Sequence, residues 1–471
     1  MTRALALAPL LLLSACMLGP DYHPAATPVA ANGSFVAATP AIASDAATPD
    51  AWWRLYADPV LDDLIGQAFA ANSDLRVATA NLRRARALLS ESRSARLPAT
   101  TVSASAGEAR QTVATPAGPV PFESEFYRAG FDASYEIDLY GRVGRGIQAA
   151  RADAEAQAAA RNTVAISVAA ETARAYADAC SAARQLAVAE RSLKLQSDSF
   201  DLTERRVAAG RDSPLDAARA RAQLESTRAS LPGFASARQS ALFRLAVLTG
   251  KPPSEIDPRA AACTAPPQLS QPIPVGDGTA LLRRRPDIRE ADRRLAAATA
   301  RIGVATADLF PRITLGAAAS AQGTTPGAAF SNQGFGFSLG PAISWSFPNI
   351  TVARARIAQA KASTEAALAT FDGTVLGALR DTETALSDYA ATLDRNRALT
   401  AARDQSAEAA RIVRLRYAAG AENFLAVLDA ERTLATADAQ LAQGEATLTT
   451  NQIAVFKALG GGWEALPATA K

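Results

Sequence analysis

The sequence predicts an α+β fold built from one unit that is used twice: a helix, a β-hairpin and a long helical hairpin. Three observations predict it. The chain contains a tandem repeat, its apolar period changes from helical to two after a proline in each copy, and alanine-rich stretches between glycines are long enough for very long helices. Aromatic residues make up only 6% of the 471 residues, so close helix packing is favoured over a bulky core.

The repeat is visible as two constant offsets. Residues 72–98 match residues 285–311 at an offset of 213. Residues 206–210, Arg-Val-Ala-Ala-Gly, match residues 416–420, Arg-Tyr-Ala-Ala-Gly, at an offset of 210. Seven of the 26 prolines gather between the two copies and indicate a linker. The predicted division is 58–250 for the first repeat, 251–280 for the Pro-rich linker, 281–462 for the second repeat and 463–471 for a C-terminal tail.

Each repeat is predicted to carry two long helices joined at its Ala-Ala-Gly site. Leu434, Leu441 and Leu448 recur every seven residues, as in coiled coils. At about 1.5 Å per residue, the first long helix would reach on the order of 100 Å if it were unbroken. The predicted bounds are 143–207 and 214–248 in the first repeat, and 352–417 and 424–458 in the second.

A β-hairpin is predicted after Pro98 and after Pro311, because a residue before proline avoids the α region and each preceding helix must stop. Apolar residues then alternate with polar or small ones, most plainly at the odd positions of 127–137 and 335–347. A strand of about ten residues with one apolar face is long enough to cross a bilayer. The pattern also fits an edge strand of a soluble sandwich, and that alternative stays open.

The first residues predict the compartment. Residues 1–15 have the basic, apolar and small-residue order of a signal peptide. Residues 13–16, Leu-Ser-Ala-Cys, resemble the lipobox of bacterial lipoproteins, in which the cysteine is acylated, so residues 16–57 would be an acylated extended tail that begins at Cys16. Met17 in place of aspartate favours the outer membrane. The alternative is an ordinary leader with an incidental cysteine.

Composition argues against several classes of function. The formal net charge is only +3 and no basic block is present, so nucleic acid is not an expected partner. His23 is the only histidine and the three cysteines lack metal-ligand spacing, so we predict no metal, no cofactor and no catalytic residue. A hydrolase that uses carboxylates alone stays open, although no acidic pair stands apart from the charges on the helix faces.

Two hairpins per chain give four membrane strands, which cannot close a barrel alone. An open sheet edge in lipid leaves backbone groups unsatisfied, so the chain must oligomerise. Three copies would give twelve strands and, by the same count, twelve long helices. The sequence therefore predicts a homotrimer in outer-membrane lipid.

Four motifs in a fixed order carry a family resemblance that runs almost end to end. They are Cys16 with Gly-Pro-Asp-Tyr at 19–22, Trp-Arg-Leu-Tyr-Ala-Asp-Pro at 53–59, Leu-Arg-Arg-Arg-Pro-Asp-Ile at 282–288 and Leu-Asp-Ala-Glu-Arg at 428–432. The sequence resembles the TolC-like outer-membrane factors, and among them the acylated NodT and OprM branch. The resemblance implies a passive trimeric duct of the bacterial outer membrane that extends into the periplasm. It would receive substrates from an inner-membrane pump of the RND type through a periplasmic adaptor, or membrane fusion protein. A non-conducting periplasmic coiled-coil lipoprotein scaffold is the alternative.

The resemblance also implies a periplasmic gate. Leu425, Asp429 and Arg432 lie at spacings of four and three on one helix stripe, at the point where related channels narrow. Leu425 and Asp429 would face the axis as stacked rings, and Arg432 would join the polar network that tethers them. The first copy has Leu215 but Arg219 at the matching positions. The alternative is that Asp429 and Arg432 only pair on the helix surface.

The two helical turns would form the rim that faces the adaptor, although glycines there also fit simple helix caps. The residues implied are Arg206, Val207, Gly210, Arg416, Tyr417 and Gly420.

The two remaining cysteines would lie in an oxidising compartment. Cys180 is midway along the first long helix and Cys263 is in the linker, which must run back along the helices. A disulfide needs Cα atoms within about 7 Å of each other. A disulfide and two unrelated small residues both stay open.

Overall fold

The computed structural model describes residues 17–269, 271–347 and 350–466. The signal peptide and the lipidated Cys16 predicted above lie outside these residues. The chain forms two compact units, each of which draws segments from both predicted repeats. The repeats and the compact units are therefore different divisions of the same chain. The strand unit comprises residues 17–26, 81–158 and 290–371, and the helix unit comprises residues 27–80, 159–289 and 372–466.

The helices confirm the predicted duplication. Each repeat has a shorter helix pair and then two long helices, and the long helices end within two residues of their predicted bounds. The first repeat contains α1 (Pro59–Ala71), α2 (Ser73–Ser94), α3 (Arg142–Ala208) and α4 (Pro214–Leu248). The linker contains α5 (Pro258–Ala261), and the second repeat contains α6 (Gly278–Arg284), α7 (Pro286–Ala307), α8 (Pro326–Ala329), α9 (Ile350–Ala418) and α10 (Phe424–Ala458).

Local chemistry explains where the long helices stop and restart. Gly210 and Gly420 follow α3 and α9 with φ of +70° and +77°, a left-handed conformation that glycine adopts without a Cβ penalty. The side chains of Ser213 and Asn423 then accept hydrogen bonds from the first turns of α4 and α10. Each Ala-Ala-Gly site therefore ends one long helix, and the capping residue after it begins the next.

A four-stranded antiparallel sheet lies in the strand unit, in the order β2-β3-β5-β6. The strands of the first hairpin, with 17 and 20 residues, are longer than the ten or so expected, whereas those of the second have 12 and 10. The bounds are β2 (Ala99–Thr115), β3 (Gly118–Ile137), β5 (Arg312–Gly323) and β6 (Phe335–Ser344). In the helix unit, β1 (Ala43–Ser44) pairs in parallel with β4 (Ile273–Pro274).

The expectation of an extended tail is wrong for residues 27–57. Phe35 and Ile42 are buried in the core of the helix unit, and Trp52 stacks on Phe456 of α10 with ring centroids 4.7 Å apart. Short 3-10 helices at Val29–Asn32 and Trp52–Tyr56 replace regular elements, so the buried residues follow no period that the sequence could reveal. Packing against distant segments orders the tail.

Candidate membrane strands, turns and gate

The register of the sheet separates two chemically different faces. Residues paired directly across antiparallel strands point to the same side. One row across all four strands contains Val102, Phe131, Ala319 and Phe337, and the next row contains Ser103, Gly130, Ser320 and Gly336. We call these sides the apolar face and the polar face.

The apolar face is exposed. Phe337 is 81% exposed, and Leu339 and Ile343 are each more than 70% exposed. A soluble sandwich would need a second sheet over this side, but the only other sheet among the residues described is the two-residue pair of β1 and β4. Large exposed apolar patches mark contact with lipid or protein, and the alternating pattern is that of transmembrane strands.

A polar contact joins the two helical turns of the helix unit across the repeats. Arg206 donates a hydrogen bond to Asp212 (Nε to Oδ2, 2.9 Å) and another to the carbonyl oxygen of Tyr417 (3.0 Å). Its guanidinium lies 4.2 Å from the centroid of the Tyr417 ring, and the Tyr417 hydroxyl donates to Asp212. We call this set of Arg206, Asp212 and Tyr417 the inter-turn contact.

The electrostatics of the inter-turn contact favour an ionised Asp212. Burial raises the pKa of Tyr417 to about 12, and its hydrogen bond to Asp212 acts in the same direction. Burial also raises the pKa of Asp212, but the hydrogen bonds from Tyr417 and Arg206 outweigh it and hold that pKa below its usual range. Asp212 therefore stays charged beside its two donors at neutral pH.

The predicted role of Tyr417 in the adaptor-facing rim is wrong. Tyr417 is only 2% exposed, because it packs with Phe424 and Val427 between the turns, so it cannot present a surface to an adaptor. The remaining rim residues differ in their exposure: Gly210, Arg416 and Gly420 are exposed, whereas Arg206 and Val207 are half-buried. Sequence reasoning also missed Asp212, whose only signal was its place two residues after Gly210.

The gate residues inferred from the sequence share one exposed stripe of α10. Leu425 is 55% exposed, and Asp429 and Arg432 are exposed along the same side. Within the described parts of the chain, neither Asp429 nor Arg432 forms an ion pair, so the surface-pair alternative is not found here. The opposite side of α10 is buried.

Glu431 is a buried carboxyl group that the sequence did not single out. It is 7% exposed and accepts a hydrogen bond from Ser199 of α3 (2.6 Å). Burial raises its pKa above the usual range, while Ser199 and the charge of Arg414 on α9 oppose that shift. The first copy has the exposed Arg221 at the matching position, and this difference between the copies was the available signal.

Arg145 of α3 binds the segment that follows Cys16 in sequence. It is 3% exposed, donates to the carbonyl oxygens of Leu18 (3.0 Å) and Gly19 (3.1 Å), and pairs with Asp21 (2.9 Å). A buried guanidinium with three acceptors on one short segment fixes that segment firmly, and Arg145 also donates to the side chain of Gln148 on its own helix (3.0 Å). The tail is therefore attached to the strand unit within a few residues of Cys16.

Cys180 and Cys263 are joined by a disulfide whose Cα atoms are 5.1 Å apart. Cys180 is fully buried in the core of the helix unit. The bond links α3 to the linker between the repeats.

Across the described residues, no group of three or more His, Cys, Asp or Glu side chains is placed to hold a metal ion. No helix in the same part of the chain is long and apolar enough to cross a membrane.

The sheet and the duplicated helical hairpins define a class of protein, a membrane channel subunit whose strands have one apolar and one polar face. The family of outer membrane efflux proteins matches residues 64–251 and 279–461. The chain belongs to this family and is an outer-membrane efflux channel, as the motif resemblance implied.

Relatives and solved structures agree with this assignment. The chain is 32% identical over 465 residues to the outer membrane protein OprJ of Pseudomonas aeruginosa, covering 96% of this chain and 94% of OprJ. It is 30% identical over 474 residues to the probable outer membrane lipoprotein SilC of Salmonella typhimurium, covering 98% and 99% of the two chains. The solved structure of the outer-membrane channel OprN matches with a TM-score of 0.88 and 36% identity, over 95% of this chain and 100% of that one.

Proposed function

We propose that three copies of this chain form the outer duct of a tripartite efflux pump, which passively conducts substrates delivered by an inner-membrane pump of the RND type through a periplasmic adaptor. The open four-stranded sheet carries this proposal. Its outer strands, β2 and β6, each have one edge without a partner strand among the described residues, while its apolar face suits lipid. Unpaired backbone groups are costly in lipid, so the sheet must close with other copies. Three copies supply twelve strands, enough for a channel.

The adaptor would bind at the exposed residues of the two turns. Gly210 and Gly420 have open space where a side chain would lie, and Arg416 beside them is exposed. The buried inter-turn contact would keep the two turns at a fixed distance from each other. Binding at the rim would then act on both helical hairpins at once.

The periplasmic gate would be formed by Leu425, Asp429 and Arg432. Their exposure on one stripe, with the opposite stripe buried, leaves these side chains available to face the three-fold axis. Three leucines would make a dry collar, and three carboxylates would favour cations. Like charges held close repel each other, so Arg432 would be needed to hold the closed state.

Acylated Cys16 would anchor the chain beside its membrane strands. The contacts of Arg145 with Leu18, Gly19 and Asp21 support this, because they attach the tail directly after the cysteine. The likeness to a probable outer membrane lipoprotein supports it independently.

Purified protein in planar lipid bilayers tests the duct. We expect stepwise single-channel currents and a trimeric mass in detergent. A well-folded trimer that never conducts, even with Asp429 and Arg432 both replaced by alanine, would instead support the non-conducting scaffold.

A further inference from the structure

The first hairpin extends well beyond its neighbour. The strands β2 and β3 stay paired up to Thr115 and Gly118, whereas the pairing of β5 with β3 ends at Tyr127. The part of β2 from Gly107 to Thr115 adds roughly 25 Å of hairpin at about 3.3 Å per residue. The first hairpin of each chain therefore ends in a tip that the second hairpin lacks.

The chemistry of the apolar face changes where this tip begins. The last apolar pair on that face is Ala106 with Tyr127. The next two pairs on the same face are Glu108 with Glu125, and Arg110 with Glu123, the latter an ion pair of 3.3 Å. Charged groups are costly against lipid hydrocarbon. The band that suits lipid therefore ends between the Ala106–Tyr127 pair and the Glu108–Glu125 pair.

The polar face changes in the opposite sense at the same level. Before the tip begins, the polar face carries small and polar residues such as Ser103 and Gly130. Within the tip, the same face carries four apolar residues, which we call the tip patch: Val113, Val120, Phe122 and Phe126. The Phe126 ring lies over its partner Gly107, where a Cβ would meet the ring at 3.0 Å. Phe122 is 57% exposed, and the paired Val113 and Val120 are each about half exposed.

This reversal indicates what covers the tip patch. The patch continues the face that is opposite the lipid-facing side, so it points away from lipid, while the charged side of the tip points outward. Because the second hairpin ends lower, the groups at this height that continue the same face are those of the first hairpins in the other copies. Exposed apolar side chains on such a face gain by meeting one another out of water.

We propose that the tip patches of three chains meet and form an apolar constriction at the outward mouth of the duct. This inference rests on the proposed trimeric channel. Apolar constrictions restrict ion flow because water leaves them readily, so such a ring would hinder polar solutes more than apolar ones. The extracellular end would then carry a second restriction, separate from the one at the periplasmic turns.

Adjacent residues of β3 offer a matched test, because Phe122 and Glu123 lie on opposite faces at the same height. Phe122→Cys and Glu123→Cys would each be made in the Asp429→Ala, Arg432→Ala background, so that the outer mouth limits the current. A bulky, uncharged thiol reagent is added to the outward side of each channel in a planar bilayer. We expect modification at position 122 to reduce single-channel conductance about twofold or more, and modification at position 123 to leave it unchanged.

A second pair of variants removes the apolar or the charged side chains of the tip, whereas the first pair adds a bulky group. Phe122→Ser with Phe126→Ser should raise conductance in the same background, whereas Arg110→Gln with Glu123→Gln should not. Equal effects at 122 and 123, with labelling verified by mass, would overturn the constriction alone. A background channel that does not conduct at all would overturn the proposed duct and the constriction with it.

Discussion

The guanidinium of Arg206 lies 4.2 Å from the centroid of the Tyr417 ring and thereby joins the turn of the first repeat to the turn of the second. The contact has no counterpart in the reverse direction, because Val207 stands where the second repeat has Tyr417, and Arg416 pairs with Glu422 of its own turn at 3.6 Å. A duplicated unit has thus acquired one asymmetric link. Any motion that separates the two turns must break it.

Removing the Tyr417 hydroxyl should weaken this link while keeping the ring. Tyr417→Phe leaves Asp212 with one donor fewer, so we expect the free energy of unfolding to fall by about 1 kcal/mol. Single-channel conductance should rise, because the two turns then separate more easily. Tyr176→Phe is the matched control, because the Tyr176 hydroxyl also donates to a carboxylate, Asp58 (2.9 Å). If the two variants have equal conductance, the inter-turn contact has no part in gating.

The gate is tested by charge removal. Asp429→Ala combined with Arg432→Ala should raise conductance and reduce cation preference, because both the ring of carboxylates and its tether are gone. Arg219→Ala changes the residue that matches Asp429 in the first copy and serves as the control. Conductance and the reversal potential in a salt gradient measure both effects. Wild-type values in the double variant would remove these residues from the gate.

Glu431 should make the stability of the helix unit depend on pH. Because burial raises its pKa, the folded protein holds this proton more tightly than the unfolded chain. Its contribution is fully present below the usual carboxyl pKa and is lost as pH rises through the raised pKa. Glu431→Gln should therefore gain stability relative to the parent as pH increases, measured by the thermal midpoint of the solubilised protein.

The exposed Glu408 on α9 is the control for Glu431, since a hydrogen bond from Arg411 holds its pKa below the usual range. Stability from such a group is present above the usual pKa and is lost as pH falls through the lowered one. Glu408→Gln should therefore lose stability relative to the parent as pH rises, a trend of opposite sign. Parallel trends in the two variants would contradict the assignment of Glu431.

The long helices could be predicted from the sequence because each is specified locally. Its period, the glycine after it and the cap before the next helix lie within a few residues of one another. The burial of Tyr417 could not be predicted, because its partners Arg206 and Asp212 are more than 200 residues away in sequence. The matching Val207 and Tyr417 look equivalent in the repeat, yet the hydrogen bonds to Arg206 and Asp212 belong to Tyr417.

The lipid anchor is tested independently of the channel. Cys16→Ser should abolish incorporation of labelled palmitate, while the strands should still allow some trimer to assemble. Arg145→Ala is the companion variant: it should keep the label but expose residues 17–22 to protease, because it removes the donors to Leu18 and Gly19. Labelling that persists in Cys16→Ser would show that another residue carries the acyl chains.

The disulfide should be detectable as the absence of free thiols. Cys180 and Cys263 are separated by 83 residues. A bond that closes a loop of this length lowers the entropy of the unfolded chain and so raises the free energy of unfolding by about 4 kcal/mol. Protein denatured without reductant should show no reactive thiol, and reduction should release two per chain. Reduction should also lower the thermal midpoint of the parent, but not that of a Cys180→Ala, Cys263→Ala variant, because that variant has no bond to break. Two reactive thiols before reduction would mean that the bond does not form, and the attachment of the linker to α3 would then depend on packing alone.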